Sequence, residues 1–381
     1  MRVALDYRPA LVNGEGIGRA TRELVRAVGE LVEAGEGGPV TGLDLFGWTR
    51  AGVRHEAALD LSPTARLSRR RVPSAALPLV LRRGADGAFG RDDPPALFHH
   101  TQPARLPVRR AAEVVTLYDA LYLHEAEAAA AGDGPWVEAA TAARMLASAR
   151  AAVRDAALVC APTEHVRADL VARLGVDLDR VVVTGLGCDH LGPARLEDMQ
   201  TRPPFVLTVC RVDPRKNHLR MLRAFEATVR AGLPFHWVVV GPDGWRHERF
   251  DTAVDASPAR DRVHRLRSVP EDELRGLYAT CDAFLFASHA EGFGLPPLEA
   301  MTFGRPVVAA RASCLPEVLG DACVWVEPTD EASIADGLFE VLGKPERCVE
   351  LGARGRARAA EHTWEAAARR TLAAWAAAAE V

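Results

Sequence analysis

Lysine is nearly absent from this 381-residue chain. Only Lys216 and Lys344 occur among 47 basic residues, so the remaining 47 − 2 = 45 are arginine. Asparagine is equally scarce, at Asn13 and Asn217. A chain that uses arginine wherever it can, yet sets Lys216 beside Asn217, draws attention to that position. Long apolar runs are also missing, and none reaches the roughly 18–20 residues of a membrane span. The seven cysteines (160, 188, 210, 281, 314, 323 and 348) are odd in number and lack CxxC spacing. That argues against a disulfide framework and for reduced, buried thiols in a cytoplasmic protein. Met1–Asp6 is a short apolar run ending in an acid, without a signal-peptide layout. Strong charge of either sign is lacking too. The balance of 47 basic and 51 acidic residues is −4, which argues against nucleic acid as a partner. What remains, 48% hydrophobic and 26% charged residues, is the composition of a globular protein with material for a core in each of two or three domains.

Short apolar runs alternate with amphipathic stretches. Strands are expected at 3–5, 42–46, 97–99, 113–117, 158–160, 181–183, 205–209, 236–240, 263–266, 283–286, 306–309 and 323–326. Helices are expected at 19–33, 137–154, 164–174, 219–230, 272–280, 297–302, 331–342 and 363–379. β-branched, nearly continuous strands alternating with helices predict an α/β protein with parallel sheets covered on both faces. The Pro- and Gly-containing stretch 191–204 reads as a linker. It divides the chain into domains at 1–195 and 202–362. The arginine-rich run Arg66–Arg71 and the segment Gly84–Pro95 read as loops. Two α/β domains of similar size suggest a ligand at the carboxyl ends of the strands.

Three segments carry chemistry. Glu291-Gly-Phe-Gly-Leu-Pro-Pro-Leu-Glu299 follows an apolar run, and Pro296-Pro297 opens a helix. Glycine backbone and a helix start expose N–H groups to an anion. Two carboxylates beside such a site suit sugar or ribose hydroxyls better than phosphate. Arg211-Val-Asp-Pro-Arg-Lys216-Asn217 follows the first strand of the second domain, where Arg and Lys suit a phosphate and Asn217 an N-cap. A solvated basic loop is the alternative. Asn13-Gly14-Glu-Gly16-Ile-Gly18 precedes a helix, but its G-x-G-x-G spacing and the long loop from Asp6 depart from the dinucleotide fingerprint. It reads either as a loop that meets phosphate or sugar, or as a flexible helix entry.

These segments resemble those of retaining glycosyltransferases of family 4. The resemblance extends through Gly16–Arg19, Val114–Asp119, Arg211–Asn217, Val240–Trp245, Glu291–Met301, Gly304–Val308 and Leu315–Val318, in family order over nearly the whole chain. It implies a GT-B fold, with two Rossmann-like domains facing each other across a cleft. The helix 363–381 would pack back on the first, acceptor-binding domain. Gly14, Gly16, Arg211, Lys216, Val269, Glu291, Phe293, Gly294, Leu295 and Glu299 would bind a nucleoside-diphosphate-sugar donor. Arg211 and Lys216 would hold the diphosphate, Glu299 the ribose, and Glu291 with the backbone of 293–295 the sugar hydroxyls. Val269 lies where the family contacts the nucleobase.

Arg211, Lys216, Glu291 and Asp119 are the expected catalytic residues. Family members often carry His-Asp where this chain has Tyr118-Asp119. With an ordinary pKa near 10, Tyr118 is no base at neutral pH. Tyr118, His100 and His124 are the acceptor-side candidates. The implied reaction needs no cofactor and no metal. Asp177-Leu-Asp179 resembles the Asp-x-Asp of metal-dependent transferases but stands in the wrong domain. Arginines at 66, 69–71, 82–83, 105 and 109–110 suggest either peripheral contact with the inner membrane face or a solvated surface. The wording around Asp213–Asn217 and Gly241–Trp245 resembles mannosyltransferases that use GDP-mannose, with UDP- or dTDP-sugars as rivals. A saccharide, a lipid-linked saccharide or a small molecule is the expected acceptor. A nucleotide-sugar-binding subunit without activity is the remaining alternative.

Overall fold

The computed structural model describes residues 1–73, 76, 84–89, 95–132, 134–193 and 203–380. Its contacts divide the chain into two units. One comprises Met1–Ala120, Ala142–Gly187 and Trp364–Val381, the other Leu121–Thr141 and Cys188–Thr363. Each is built on one sheet whose strand pairings are all parallel.

The first sheet contains β1 (Arg2–Asp6), β2 (Gly42–Phe46), β3 (Ala65–Ser68), β4 (Leu97–His100), β5 (Ala112–Thr116), β6 (Leu158–Ala161) and β7 (Val181–Val183). Their spatial order is β3-β2-β1-β4-β5-β6-β7, so the winding reverses between β1 and β4. β2, β4 and β6 are buried along their whole length; β6 is an unbroken apolar run, whereas β2 carries buried Asp44 and β4 carries buried His99 and His100. β3 corrects the expectation of a loop at Arg66–Arg71. It is an edge strand paired with β2, and its signal is electrostatic rather than apolar. Nε and Nη2 of Arg66 donate to the two oxygens of buried Asp44 at 2.7 and 2.9 Å.

The stretch from Asp6 to Gly14 is likewise not a plain loop, because Arg8–Val12 forms a short helix with Pro9 in its first turn, where the missing N–H costs nothing. Helix Gly16–Glu33 turns Ala20, Val25, Val28 and Leu31 inward and packs on helix Trp364–Ala379. Trp364 and Trp375 of the latter are fully buried in this unit. The indole N–H of Trp375 donates to His99 Nδ1 at 3.1 Å, so the other ring nitrogen carries the proton and donates to Thr116 Oγ1 at 2.8 Å.

The second sheet contains β8 (Phe205–Val209), β9 (His236–Val240), β10 (Val263–Leu266), β11 (Ala283–Phe286), β12 (Val307–Ala310) and β13 (Val324–Val326), in the order β10-β9-β8-β11-β12-β13. Winding reverses between β8 and β11. All strands expected from the sequence fall within one residue of these bounds. Helices Glu248–Asp255, Leu315–Leu319 and Pro345–Ala360 were not expected. The last carries many charges and pairs with helix Leu295–Thr302 through small residues. A Cβ on Gly352 would stand 2.4 Å from the carbonyl oxygen of Gly304.

The segment Leu121–Thr141, inside the 1–195 division drawn from the sequence, groups with the second unit. Arg220 Nη2 donates to Ala131 O at 2.7 Å, and the ring of Trp136 stacks on His289 at 5.8 Å. The change of unit falls between Gly187 and Cys188, ahead of the expected linker, most of which lies outside the described residues. Cys188 N donates to His362 O, and Arg275 Nε to Leu191 O, anchoring this stretch. All seven cysteines are free. Among the described residues, no helix is long and apolar enough to cross a membrane.

Candidate functional site

The reversal of winding leaves a gap at the carboxyl ends of β8 and β11, because the chain leaves these two neighbours in opposite directions. The loop after β8 is 211–217 and the loop after β11 is 288–294. Both motifs singled out in the second half of the sequence therefore emerge side by side.

Consecutive residues bind the two loops together. The backbone N–H of His289 donates to Arg215 O at 2.9 Å. Arg215 Nη1 donates to Ala290 O at 2.6 Å and lies 3.1 Å from Glu291 Oε2. Lys216 Nζ donates to Glu291 Oε1 at 2.6 Å. Asn217 Nδ2 donates to Ala287 O at 2.9 Å and Pro328 O at 2.7 Å. Asn217 is thus not the side-chain cap expected of it. It holds a left-handed conformation (φ 64°), which Asn tolerates, and its amide is spent across the loops.

Lys216 and Glu291 are both buried. Burial alone would raise the carboxyl pKa of Glu291. The charges of Lys216 and Arg215 outweigh it and bring the value down to about 2. Glu291 is therefore an ionised hydrogen-bond acceptor throughout the physiological range. Gly294, at φ 91°, starts helix Leu295–Thr302, and a Cβ there would meet Leu315 Cδ2 at 2.6 Å. Only glycine satisfies both conditions. Phe293 and Leu295 flank it, buried.

Glu299 lies within that helix at 3% exposure. Tyr278 donates its hydroxyl to Oε2 at 2.6 Å, and His190 Nε2 lies 3.1 Å from Oε1. Both carboxylate oxygens are held, which fixes the plane of the group. Arg211 is exposed at the mouth of its loop, and Val269 is half-buried in the loop after β10. His124 also belongs to this unit, with its ring stacked on Trp136 at 6.5 Å.

The other candidates lie in the first unit. Gly14 and Gly16 are exposed at the start of helix Gly16–Glu33. Tyr118 is packed against the core and hydrogen-bonds Thr21, and burial raises its hydroxyl pKa above the usual value. It stays protonated at neutral pH. Asp119 follows it, half-buried. His100 is fully buried, with Nε2 2.7 Å from Glu113 Oε2. Glu113 also receives Arg105, which reaches on to Asp155 at 2.5 Å. Part of the arginine cluster is therefore engaged within the fold. Arg66 is bound to Asp44, and Arg70 lies 4.8 Å over the ring of Trp48. Arg82 and Arg83 lie outside the described residues.

Among the described residues, one trio has metal-ligand proximity: Asp243, His247 and Asp251, with ligand atoms within 4.8 Å of one another. Arg265 and Arg267 already bind Asp243 at 3.0 and 2.9 Å, so the trio is part of an ion-pair network.

Sequence reasoning missed Arg215, His190 and Tyr278. Arg215 is one of many arginines, and nothing local marks it. Tyr278 and His190 reach Glu299 from 21 and 109 residues away in the chain (299 − 278 and 299 − 190).

Residues 197–358 match the family model of glycosyl transferases group 1. O-antigen chain mannosyltransferase B of Escherichia coli is 28% identical over 228 residues, 57% of this chain and 60% of that protein. MMP alpha-(1->4)-mannosyltransferase of Mycolicibacterium hassiacum is 38% identical over 117 residues, 30% of this chain and 28% of that protein. The chain thus spans less than two thirds of either relative. Sucrose-phosphate synthase from Thermosynechococcus elongatus superposes with a TM-score of 0.76 at 20% identity, over 99% of this chain and 98% of that one. With two parallel α/β units and these likenesses, the chain has the GT-B fold; its 197–358 segment is similar to group 1 glycosyl transferases, and the two sequence relatives named here are mannosyltransferases.

Proposed function

We propose that the chain is a family 4 hexosyltransferase that moves a mannosyl unit from GDP-mannose, with retention, to a saccharide, lipid-linked or small-molecule acceptor. The observation that carries this reading is the buried Lys216–Glu291 pair where the loops after β8 and β11 meet. A cation and an ionised acceptor fixed side by side suit a ligand with a diphosphate at one end and hydroxyls at the other. The names of the sequence relatives support mannose as the sugar.

In this reading Lys216 and Arg211 bind the diphosphate, and Glu291 accepts hydrogen bonds from sugar hydroxyls. The N–H groups of 293–295 approach the same sugar. Glu299, its plane set by Tyr278 and His190, accepts from the ribose, and Val269 lies beside the base. Gly14 and Gly16 contribute to phosphate binding. The bond from the anomeric carbon to the diphosphate oxygen breaks, and the bond to the acceptor oxygen forms on the same face. The acceptor's proton passes to the departing diphosphate. Positive charge gathers at the anomeric carbon and negative charge on the leaving group, and the cations stabilise the latter without a metal. Asp119 is the proposed acceptor-side carboxylate, with Tyr118, His100 and His124 as the other acceptor-side candidates. The chain works in the cytoplasm, with peripheral contact at the inner membrane face.

Donor consumption tests this. Incubation with GDP-mannose, UDP-glucose, dTDP-glucose and ADP-glucose, with and without Mg²⁺, is followed by NMR of the anomeric proton. Metal-independent loss of GDP-mannose with an α-configured product is expected. Consumption of a UDP- or dTDP-sugar alone replaces the donor assignment. Binding without consumption in the presence of mixed acceptors favours a nucleotide-sugar-binding subunit.

A further inference from the structure

Arg215 contacts the donor-site loop at three points. Its carbonyl accepts from His289 N at 2.9 Å, while Nη1 donates to Ala290 O at 2.6 Å and lies 3.1 Å from Glu291 Oε2. Lys216 takes the other oxygen of the same carboxylate. We propose that Arg215 is a positioning residue of the donor site, holding the Glu291 carboxylate in the orientation that receives the sugar hydroxyls. This rests on the donor-site reading above.

Two arguments support it. First, a lysine ammonium pivots about its stem and the Ser288 hydroxyl that also hydrogen-bonds Glu291 rotates, so these two partners leave the carboxylate some freedom to turn about its last torsion. A second cation on the second oxygen removes that freedom, and the guanidinium is itself held by Ala290 O. The open lone pairs of Glu291 then point in a fixed direction. Second, the charges differ. Lys216 and Glu291 together are neutral, whereas Arg215, Lys216 and Glu291 sum to +1. A neutral pair would have little long-range attraction for a diphosphate. The trio keeps one positive charge after its internal pairing. The side chains of Arg215 and Glu291 are 18% and 9% exposed, so solvent screens this charge only in part.

The test compares wild type with Arg215→Gln and Arg215→Lys in the full-length chain. Donor KM and kcat are measured for GDP-mannose at pH 7, and the Glu291 carboxyl carbon is titrated by NMR from pH 7 down to pH 2, its signal assigned by loss in Glu291→Gln. Arg215→Gln is expected to raise donor KM about tenfold with a smaller effect on kcat. The carboxyl titration should move to higher pH. Arg215→Lys should restore most of the carboxyl titration, which follows charge, but not the KM, which follows orientation. A variant that melts earlier but keeps the wild-type KM and carboxyl titration overturns the proposal, leaving Arg215 a structural tie. Failure of the wild type to bind any nucleotide sugar instead overturns the donor-site reading, and with it this role.

Discussion

Lys216 Nζ lies 2.6 Å from Glu291 Oε1, and neither side chain has more than a tenth or so of its surface exposed. Removing one member of a buried ion pair strands the other, at a cost of about 3–5 kcal/mol. Lys216→Met and Glu291→Gln should each lose stability on that scale. The double variant should lose much less than the sum, because Lys216 and Glu291 no longer strand each other and only the partly exposed Arg215 is left without its carboxylate. Urea unfolding of the four proteins measures the coupling, and additive losses would mean the two groups do not depend on each other.

Asn217 offers a separate probe of the loop junction. Asn217→Asp replaces two N–H donations, to Ala287 O and Pro328 O, with oxygens facing oxygens. A loss of about 2–4 kcal/mol is expected, since two buried carbonyls go unpaired and a charge is added. Asn217→Gly keeps the left-handed backbone at less cost in strain, so it should be the milder variant. Equal losses would place the effect in the lost amide donations rather than in the added charge.

Gly16 and Gly18 separate function from folding. A Cβ at Gly16 meets nothing within 4 Å, whereas one at Gly18 would stand 1.8 Å from Asn13 O. Gly16→Ala should fold with an unchanged melting temperature yet bind donor more weakly. Gly18→Ala should lose stability by more than about 1 kcal/mol through backbone displacement. Normal donor affinity in Gly16→Ala would remove that glycine from the site.

His99 makes the first unit sensitive to acid. Burial lowers its pKa to about 3 from an ordinary 6.5, so it is neutral when folded. Between pH 6.5 and 3 the unfolded chain takes up a proton that the folded chain refuses, and stability falls as pH falls through that window. Above pH 6.5 neither state is charged, and the group adds no pH dependence. His99→Gln, which can hydrogen-bond but not titrate, should flatten the melting temperature between pH 6.5 and 4. It should also lower it at neutral pH through imperfect contact with Trp375 and Thr116. An unchanged slope would assign the acid sensitivity elsewhere.

The strands were legible because parallel sheets covered on both faces demand continuous apolar runs, and β6 and β11 are such runs. β3 was not, because Arg66 makes its partner contact to Asp44 through charge. Helix Pro345–Ala360 was hidden because its buried face has one large apolar residue, Leu351, beside the small Gly352, Gly355 and Ala359. Within the site, Lys216, Glu291 and Glu299 stood out through local motifs. Their supporting partners did not, because Tyr278 and His190 meet Glu299 only through the tertiary fold. Leu121–Thr141 could not be assigned from its place in the chain, since membership of the second unit depends on contacts such as Arg220 with Ala131.

The most direct test of the account is calorimetric titration of GDP into wild type, Lys216→Met and Glu299→Gln, each held below its melting temperature and without metal. The account predicts binding to wild type and a loss of about tenfold or more in both variants, from the missing diphosphate cation in one and the weakened ribose acceptor in the other. Folded variants that bind GDP as tightly as wild type would contradict it.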